Sequence, residues 1–249
     1  MAKAQRAVGP ETGLGDMDSY RTFLGEYDLS MGALCQRILA RHQATIRVRK
    51  AETAVANLGR IIETTLALSN RKGFHSMSLR DLSEQSGLSM GALYSYFDSK
   101  DTLLLMILGQ VVDAVDLVLA PGNPASAPPL ARLRELMARH VYLTEAMGPW
   151  FVFAFMEAKS FGRQGREMAV GSELRTEALL RDIIADGVET GAFRPIDPMM
   201  AATLLKPMLQ DWYVKRAKYR KREIGPDDFI RGLSDMVGAM LVKSGARHE

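Results

Sequence analysis

An all-α fold, with a unit of short helices ahead of a larger long-helix domain, is predicted by three features of this 249-residue sequence. Apolar residues recur at spacings of three and four along most of its length. Helix boundaries are marked repeatedly: Ser78, Ser89 and Ser99 stand ahead of apolar periods, Asp197-Pro198 and Gly225-Pro226 place proline at a first helical position, and Gly73, Gly87 and Gly191 stand at helix ends. No segment alternates apolar and polar residues in the manner of a half-buried strand.

Composition narrows the class. Hydrophobic residues make up 47% and charged residues 24% of the chain, ordinary for a globular protein able to bury a full core. A net charge of +3 is too small to identify a polyanionic partner, so the placement of charge matters more. The single cysteine, Cys35, excludes an intrachain disulfide framework and suits a reducing compartment. The first twenty residues carry Lys3 and Arg6 without the apolar core of a secretory signal. The longest apolar runs, 103–109 and 149–156, are too short to span a bilayer. The expectation is a cytoplasmic protein with no membrane partner.

Taken in order, residues 1–17 hold Gly9-Pro10, Gly13 and Gly15, lack apolar periodicity and are expected to form a disordered arm. Tyr20, Phe23, Leu24 and Tyr27 suit a short amphipathic helix capped by Asp18 or Ser19. Ser30 suits the cap of another, with Leu34, Ile38 and Leu39 inward. Its outer face carries Arg37, Arg41 and His42, and Arg47, Arg49 and Lys50 follow, with no acid between Cys35 and Ala51. That basic run either contacts nucleic-acid phosphates or is the solvated face of a helix packed on the rest of the chain. LSMGAL occurs at 29–34 and again at 88–93. The flanking residues do not repeat, and a serine cap before a helix start accounts for both. A long helix over about 53–71 buries Val55, Leu58, Ile61, Ile62, Leu66 and Leu68 and stops at Gly73.

Residues 78–100, SLRDLSEQSGLSMGALYSYFDSK, read as two short helices and a tight turn. Ser78 caps the first and Asp81 can close a capping box; Leu79 and Leu82 face inward, and Gly87 takes the left-handed cap. Ser89 caps the second, which buries Leu93 and Phe97. Its other side shows Met90, Gly91, Ala92, Tyr94, Ser95 and Tyr96, none of them acidic. Such a helix can lie in a major groove. Met90 and Ala92 are then expected at base edges, Tyr94 at phosphate or base, and Tyr96 and Lys100 at phosphates, with Ser78, Arg80 and Ser89 completing the DNA-facing set.

These residues resemble the helix-turn-helix of the tetracycline-repressor (TetR) family. Gly73-Phe74, Ser78-Leu79-Arg80-Asp81-Leu82, Gly87-Leu88-Ser89, Gly91, Leu93-Tyr94, Tyr96-Phe97 and Ser99-Lys100 agree in register, and the match runs without a gap from about 54 to 112. Ser83 departs from it, standing where the family usually has alanine. The resemblance implies a division into an N-terminal extension, partly disordered and partly helical, over 1–52, a DNA-binding domain over 53–115 and a helical ligand-binding and dimerisation domain over 116–249. An extension of that length is unusual for the family. The implied function is a homodimeric transcriptional regulator, usually a repressor, that leaves operator DNA when a small molecule binds. The competing class is an all-helical enzyme or interaction module.

The second domain is expected to hold a helix from Ser99 to a break at Pro121-Gly122-Asn123-Pro124, a loop over 121–129 and a helix over 130–147. An aromatic helix over 150–161, apolar nearly all round, should be buried; a turn at Gly162 and Gly165 and a helix over 172–189 follow. Trp150, Phe151, Phe153, Phe155 and Met156, with His140 and Trp212, form the candidate effector pocket, although such a stripe also suits plain core. The basic run Lys215, Arg216 and Lys218 beyond Tyr213 resembles branches that sense fatty acyl groups, some as coenzyme A thioesters. The final helix places Phe229, Ile230, Leu233, Met236, Val237 and Met240 in a seam, and Met200, Leu204 and Met208 lie on the helix before it. By resemblance, these two helices pair with their copies in a second subunit.

Catalytic chemistry is not expected. No two of His42, His75, His140 and His248 have metal-ligand spacing, and neither a phosphate-cradling loop nor a nucleophile elbow is present. Glu145 and Glu157 could be paired carboxylates, but charges on an outer helix face are commoner. The reading carries no enzyme activity, metal or cofactor.

Overall fold

A computed structural model describes residues 19–120 and 126–243. The arm expected over 1–17 and most of the 121–129 loop lie outside them. Among the described residues the regular secondary structure is helical, apart from one bridge between Phe193 and Val242.

The N-terminal extension folds as two helices, α1 (Tyr20–Glu26) and α2 (Met31–Arg41), capped by Ser19 and Ser30. The serine of each LSMGAL copy does the same work. Ser30 accepts from the Ala33 amide at 3.3 Å and Ser89 from the Ala92 amide at 3.2 Å. Beyond the caps the extension is core. Phe23, Leu34 and Cys35 are shut off from solvent, and α2 lies along α3 (Ala51–Lys72). Of the basic run, Arg41 pairs with Asp113 at 2.5 Å and Arg37 donates to the Asp28 carbonyl, whereas Arg47, Arg49 and Lys50 are exposed.

Helices α4 (Leu79–Ser86) and α5 (Met90–Leu93) follow, and α6 (Lys100–Val118) runs from this unit into the second domain. There α6 packs against α7 (Pro129–Ala146), α8 (Gly148–Met156) and α9 (Arg163–Glu189). The expected turn at Gly162 and Gly165 gives way to helix, because α9 starts at Arg163. Gly165 serves a close approach instead: a Cβ there would meet Leu104 at 3.2 Å and Leu108 at 3.3 Å, both on α6. At the far end of α9 the Phe193 ring lies over Gly187, where a Cβ would meet it at 2.1 Å. Only glycine fits there. Helices α10 (Pro198–Val214), α11 (Arg216–Lys221) and α12 (Pro226–Leu241) complete the chain, with Pro207 inside α10.

The seam expected on α12 divides. Ile230, Leu233 and Val237 are buried, on a helix that packs against α7 of the same chain, and Phe229 packs on Trp212 at 4.9 Å between ring centroids. An amphipathic helix must first cover its own core. Met236 and Met240 of α12, with Met200 and Leu204 of α10, remain exposed, and Met208 is half-buried beside them.

Candidate nucleic-acid interface and effector cavity

The helix-turn-helix is built from local hydrogen bonds. Ser78 Oγ accepts from the Asp81 amide at 3.1 Å, and Asp81 Oδ2 accepts from the Ser78 amide at 2.7 Å, closing the capping box. Lys72 reaches the same carboxylate at 2.6 Å, and these partners hold Asp81 well below the usual carboxylate range. Gly87 turns the chain at φ +67°, and Ser83, the departure from the family pattern, donates across that turn to the Leu88 carbonyl at 2.6 Å. The hydroxyl that serine adds to an alanine-sized side chain thus ties the two helices together across the turn.

Ser89, Met90, Gly91 and Tyr94 are exposed in and beside α5, with Ala92 and Ser95 half-buried and Ser95 Oγ donating to the Gly91 carbonyl. Ser78 and Arg80 are exposed at the start of α4, although Ser78 is occupied as its cap. Two expected phosphate contacts are turned inward. Tyr96 is 1% exposed, and its hydroxyl accepts from Asn57 Nδ2 at 3.0 Å. Lys100 Nζ donates to the carbonyls of Phe74 at 2.8 Å, His75 at 3.0 Å and Met77 at 2.5 Å, with the Phe74 ring beneath it. Peptide carbonyls after α3 have no helical partners and take up the ammonium. Both residues brace the reading unit from within.

Glu157, expected on an outer face, is buried between the domains. Its Oε1 accepts from the Phe74 amide at 3.0 Å and Ser69 Oγ at 3.3 Å. It thereby joins the end of α8 to the turn that Lys100 grips. Glu157→Ala would leave a buried amide unpaired, and we expect a loss of about 1–3 kcal/mol. Thermal unfolding checks this, with Glu157→Gln, which keeps an acceptor, close to the parent.

A cavity of about 200 Å³ lies among α6, α7, α8, α9 and α10. Val111, Val115, Phe151 and Phe155 form apolar wall, and His140 and Lys206 are its buried polar pair, Nε2 to Nζ 3.0 Å. Of the expected pocket residues, His140, Phe151 and Phe155 line it. Trp150, Phe153 and Met156 instead line a separate groove against α3, since neighbouring residues on one helix face different ways. Trp212 belongs to neither. It packs on Tyr219 and Phe229 with the Arg216 guanidinium over its ring. The basic run expected at a coenzyme A headgroup is also engaged: Arg216 pairs with both oxygens of Glu145, and Lys215 and Lys218 pair with Asp211. Lys206 escaped sequence reading. Its signal was a single cation at Leu205-Lys206-Pro207, in the middle of an apolar helix.

Comparison with known proteins agrees with this architecture. Residues 61–107 match the family model "Bacterial regulatory proteins, tetR family", and residues 126–225 match "Tetracyclin repressor-like, C-terminal domain". The HTH-type transcriptional repressor KstR of Mycolicibacterium smegmatis is 35% identical over 102 residues, covering 38% of this chain and 50% of that protein. KstR of Rhodococcus jostii is 32% identical over 130 residues, covering 43% of this chain and 60% of that protein. The chain thus spans about half the length of these curated relatives. Among solved structures, the TetR family regulator PfmR from Thermus thermophilus is 29% identical, with a TM-score of 0.59 over 74% of this chain and 100% of that one. AibR, in complex with isovaleryl coenzyme A and operator DNA, shares the fold at 20% identity and a TM-score of 0.58, over 74% of this chain and 97% of that one. The two-part helical fold places a tetR-type helix-turn-helix ahead of a tetracyclin repressor-like C-terminal domain. The chain belongs to the TetR family.

Proposed function

We propose that the protein is a ligand-responsive repressor, acting in the cytoplasm as a homodimer that leaves its operator when a small hydrophobic effector enters the cavity. The observation that carries this reading is α6. Lys100 at its start holds the turn before α4, while Leu108, Val111, Val112 and Val115 further along line the cavity. One rigid helix therefore meets both the reading unit and the effector space. An effector acts by binding one arrangement of this helix more tightly than another. Met90 and Ala92 read base edges, where an apolar side chain discriminates chiefly through thymine methyls. Among the described residues no helix is long and apolar enough to cross a membrane.

Selection of bound duplexes from a randomised pool tests the reading. We expect enrichment of a two-fold symmetric site bound with Kd of roughly 10⁻⁸–10⁻¹¹ M at physiological salt. Failure to enrich any site would remove it. Met90→Ala should alter the preferred base pairs rather than weaken every duplex alike.

The exposed cations extend the same surface. The Arg47 amide donates to the Ser95 carbonyl at 2.8 Å, which places the segment holding Arg49 and Lys50 beside the reading helix. Replacing Arg47, Arg49 and Lys50 by alanine should lower the salt slope of binding by about 0.9 for each phosphate these cations neutralise, with base preference unchanged. A slope equal to the parent's would return these residues to a solvated face.

A further inference from the structure

Lys206 is an unusual occupant of its position. It sits in the middle of α10 and is almost fully buried, yet no carboxylate among the described residues lies within 4.0 Å of its Nζ. Among the described residues its one side-chain hydrogen-bond partner is His140 Nε2, at 3.0 Å. The acids that act on it at longer range have other partners: Glu173, which also lines the cavity, accepts from Gln210, and Glu177 accepts from Thr203. Burying a cation without a carboxylate is costly, and an apolar residue of similar volume would serve a core better.

The pair displays donors. Burial, then the neighbouring ammonium, holds the His140 imidazole well below its ordinary range, and burial lowers Lys206 to about 8; the lysine amine offers N–H donors in either protonation state. A neutral ring that accepts at Nε2 carries its proton on Nδ1. That Nδ1 is buried and has no hydrogen-bond partner among the described residues. Lys206 and His140 both line a cavity whose wall is mainly apolar, with Arg166, Glu173 and Gln210 among its other polar residues, and among the described residues neither side chain has a hydrogen-bond partner other than its neighbour in the pair. Their complement is an acceptor-only anion with few oxygens attached to an apolar body.

We propose that Lys206 and His140 form the head-group site for a small apolar carboxylate, whose chain or ring fills the space beside Val111, Val115, Phe151 and Phe155. This rests on the reading of the cavity as the effector site and names the chemistry of its ligand. Volume bounds the size: about 200 Å³ is less than the roughly 300–1,000 Å³ of typical drug-sized pockets. The cavity suits a short acid and leaves no room inside it for a nucleotide carrier. Two donor groups also suit a carboxylate better than a phosphate, which presents more oxygens than the pair can satisfy.

Titration calorimetry on the full-length protein with hexanoate, hexanol and hexylamine tests it. Hexanoate should bind about 10- to 100-fold more tightly than hexanol, the range expected for a hydrogen bond to a charged group, and hexylamine most weakly. Lys206→Met should remove the preference for hexanoate while leaving hexanol affinity equal or higher. The same variant without ligand should unfold at a higher temperature, since an uncompensated buried charge has gone. His140→Asn, with the lysine kept, should reduce the preference in part. Equal binding of hexanoate and hexanol to the parent, or a carboxylate preference surviving in Lys206→Met, overturns the proposal and leaves the effector cavity standing. No binding of either probe to protein that still binds its operator overturns the effector reading and this proposal with it.

Discussion

Leu204→Glu combined with Met240→Glu is expected to give a folded monomer whose operator affinity falls by about 10²- to 10⁴-fold, the range by which linking two binding units exceeds either alone. Leu204 is 60% exposed and Met240 47% exposed, so neither glutamate enters the chain's own core. Both side chains line an apolar groove with Met200, Met208 and Val237. In the proposed homodimer this apolar surface is the face that a second copy would cover under two-fold symmetry. Carboxylates at its centre would be buried without partners, which an interface does not tolerate. Sedimentation reads the outcome directly. An intact dimer in the double variant would move the interface elsewhere. A glutamate at Leu233 would not separate unfolding from dissociation, because Leu233 is buried within its own chain.

The difference between Leu204 and Leu233 shows what a sequence does and does not carry. Helix positions and caps depend on neighbouring residues. Ser78 with Asp81, Gly87, Ser89, Asp197-Pro198 and Gly225-Pro226 all stand where local chemistry puts them. Burial depends on what the chain brings from far away. The α12 stripe is one periodic seam in sequence, and only packing against α7 decides that Ile230, Leu233 and Val237 face inward while Met236 and Met240 do not. Tyr96 and Lys100 illustrate the same limit at the reading unit. Polar tips beside a groove-reading helix suggest phosphate contacts, but Asn57 and three carbonyls after α3 take them first. A glycine is likewise ambiguous. Gly87 turns the chain, whereas Gly165 and Gly187 admit side chains from other elements. The cavity was half legible: its aromatic wall came from an obvious run, whereas its polar pair joins residues 66 positions apart.

Phe23→Ala is expected to cost about 3–5 kcal/mol, as for other buried aromatics, and to lower Tm by roughly 6–20 °C. Its ring is 0% exposed and lies among Tyr20, Tyr27 and Tyr142, with the Phe23–Tyr142 centroids 5.6 Å apart. The same short helix reaches α12: the Tyr20 amide and the Tyr142 hydroxyl both donate to Asp227 Oδ1, at 3.0 Å and 2.7 Å. Behind it, α2 buries Leu34, Cys35 and Ile38, and the thiol is pushed up to about 12 by burial. The extension therefore straps the reading unit, α7 and the start of α12 together. Each buried apolar side chain contributes about 1.5–3 kcal/mol, so Phe23, Leu34 and Ile38 together rival the stability margin of a typical domain. Removing residues 1–50 should accordingly give a chain that unfolds at a much lower temperature or aggregates, rather than a folded protein with weaker DNA binding. Arg47→Ala and Arg49→Ala, both at exposed positions, should leave Tm unchanged and serve as controls. A truncated protein that melted with the parent would show that the strap adds nothing and that the core begins at α3.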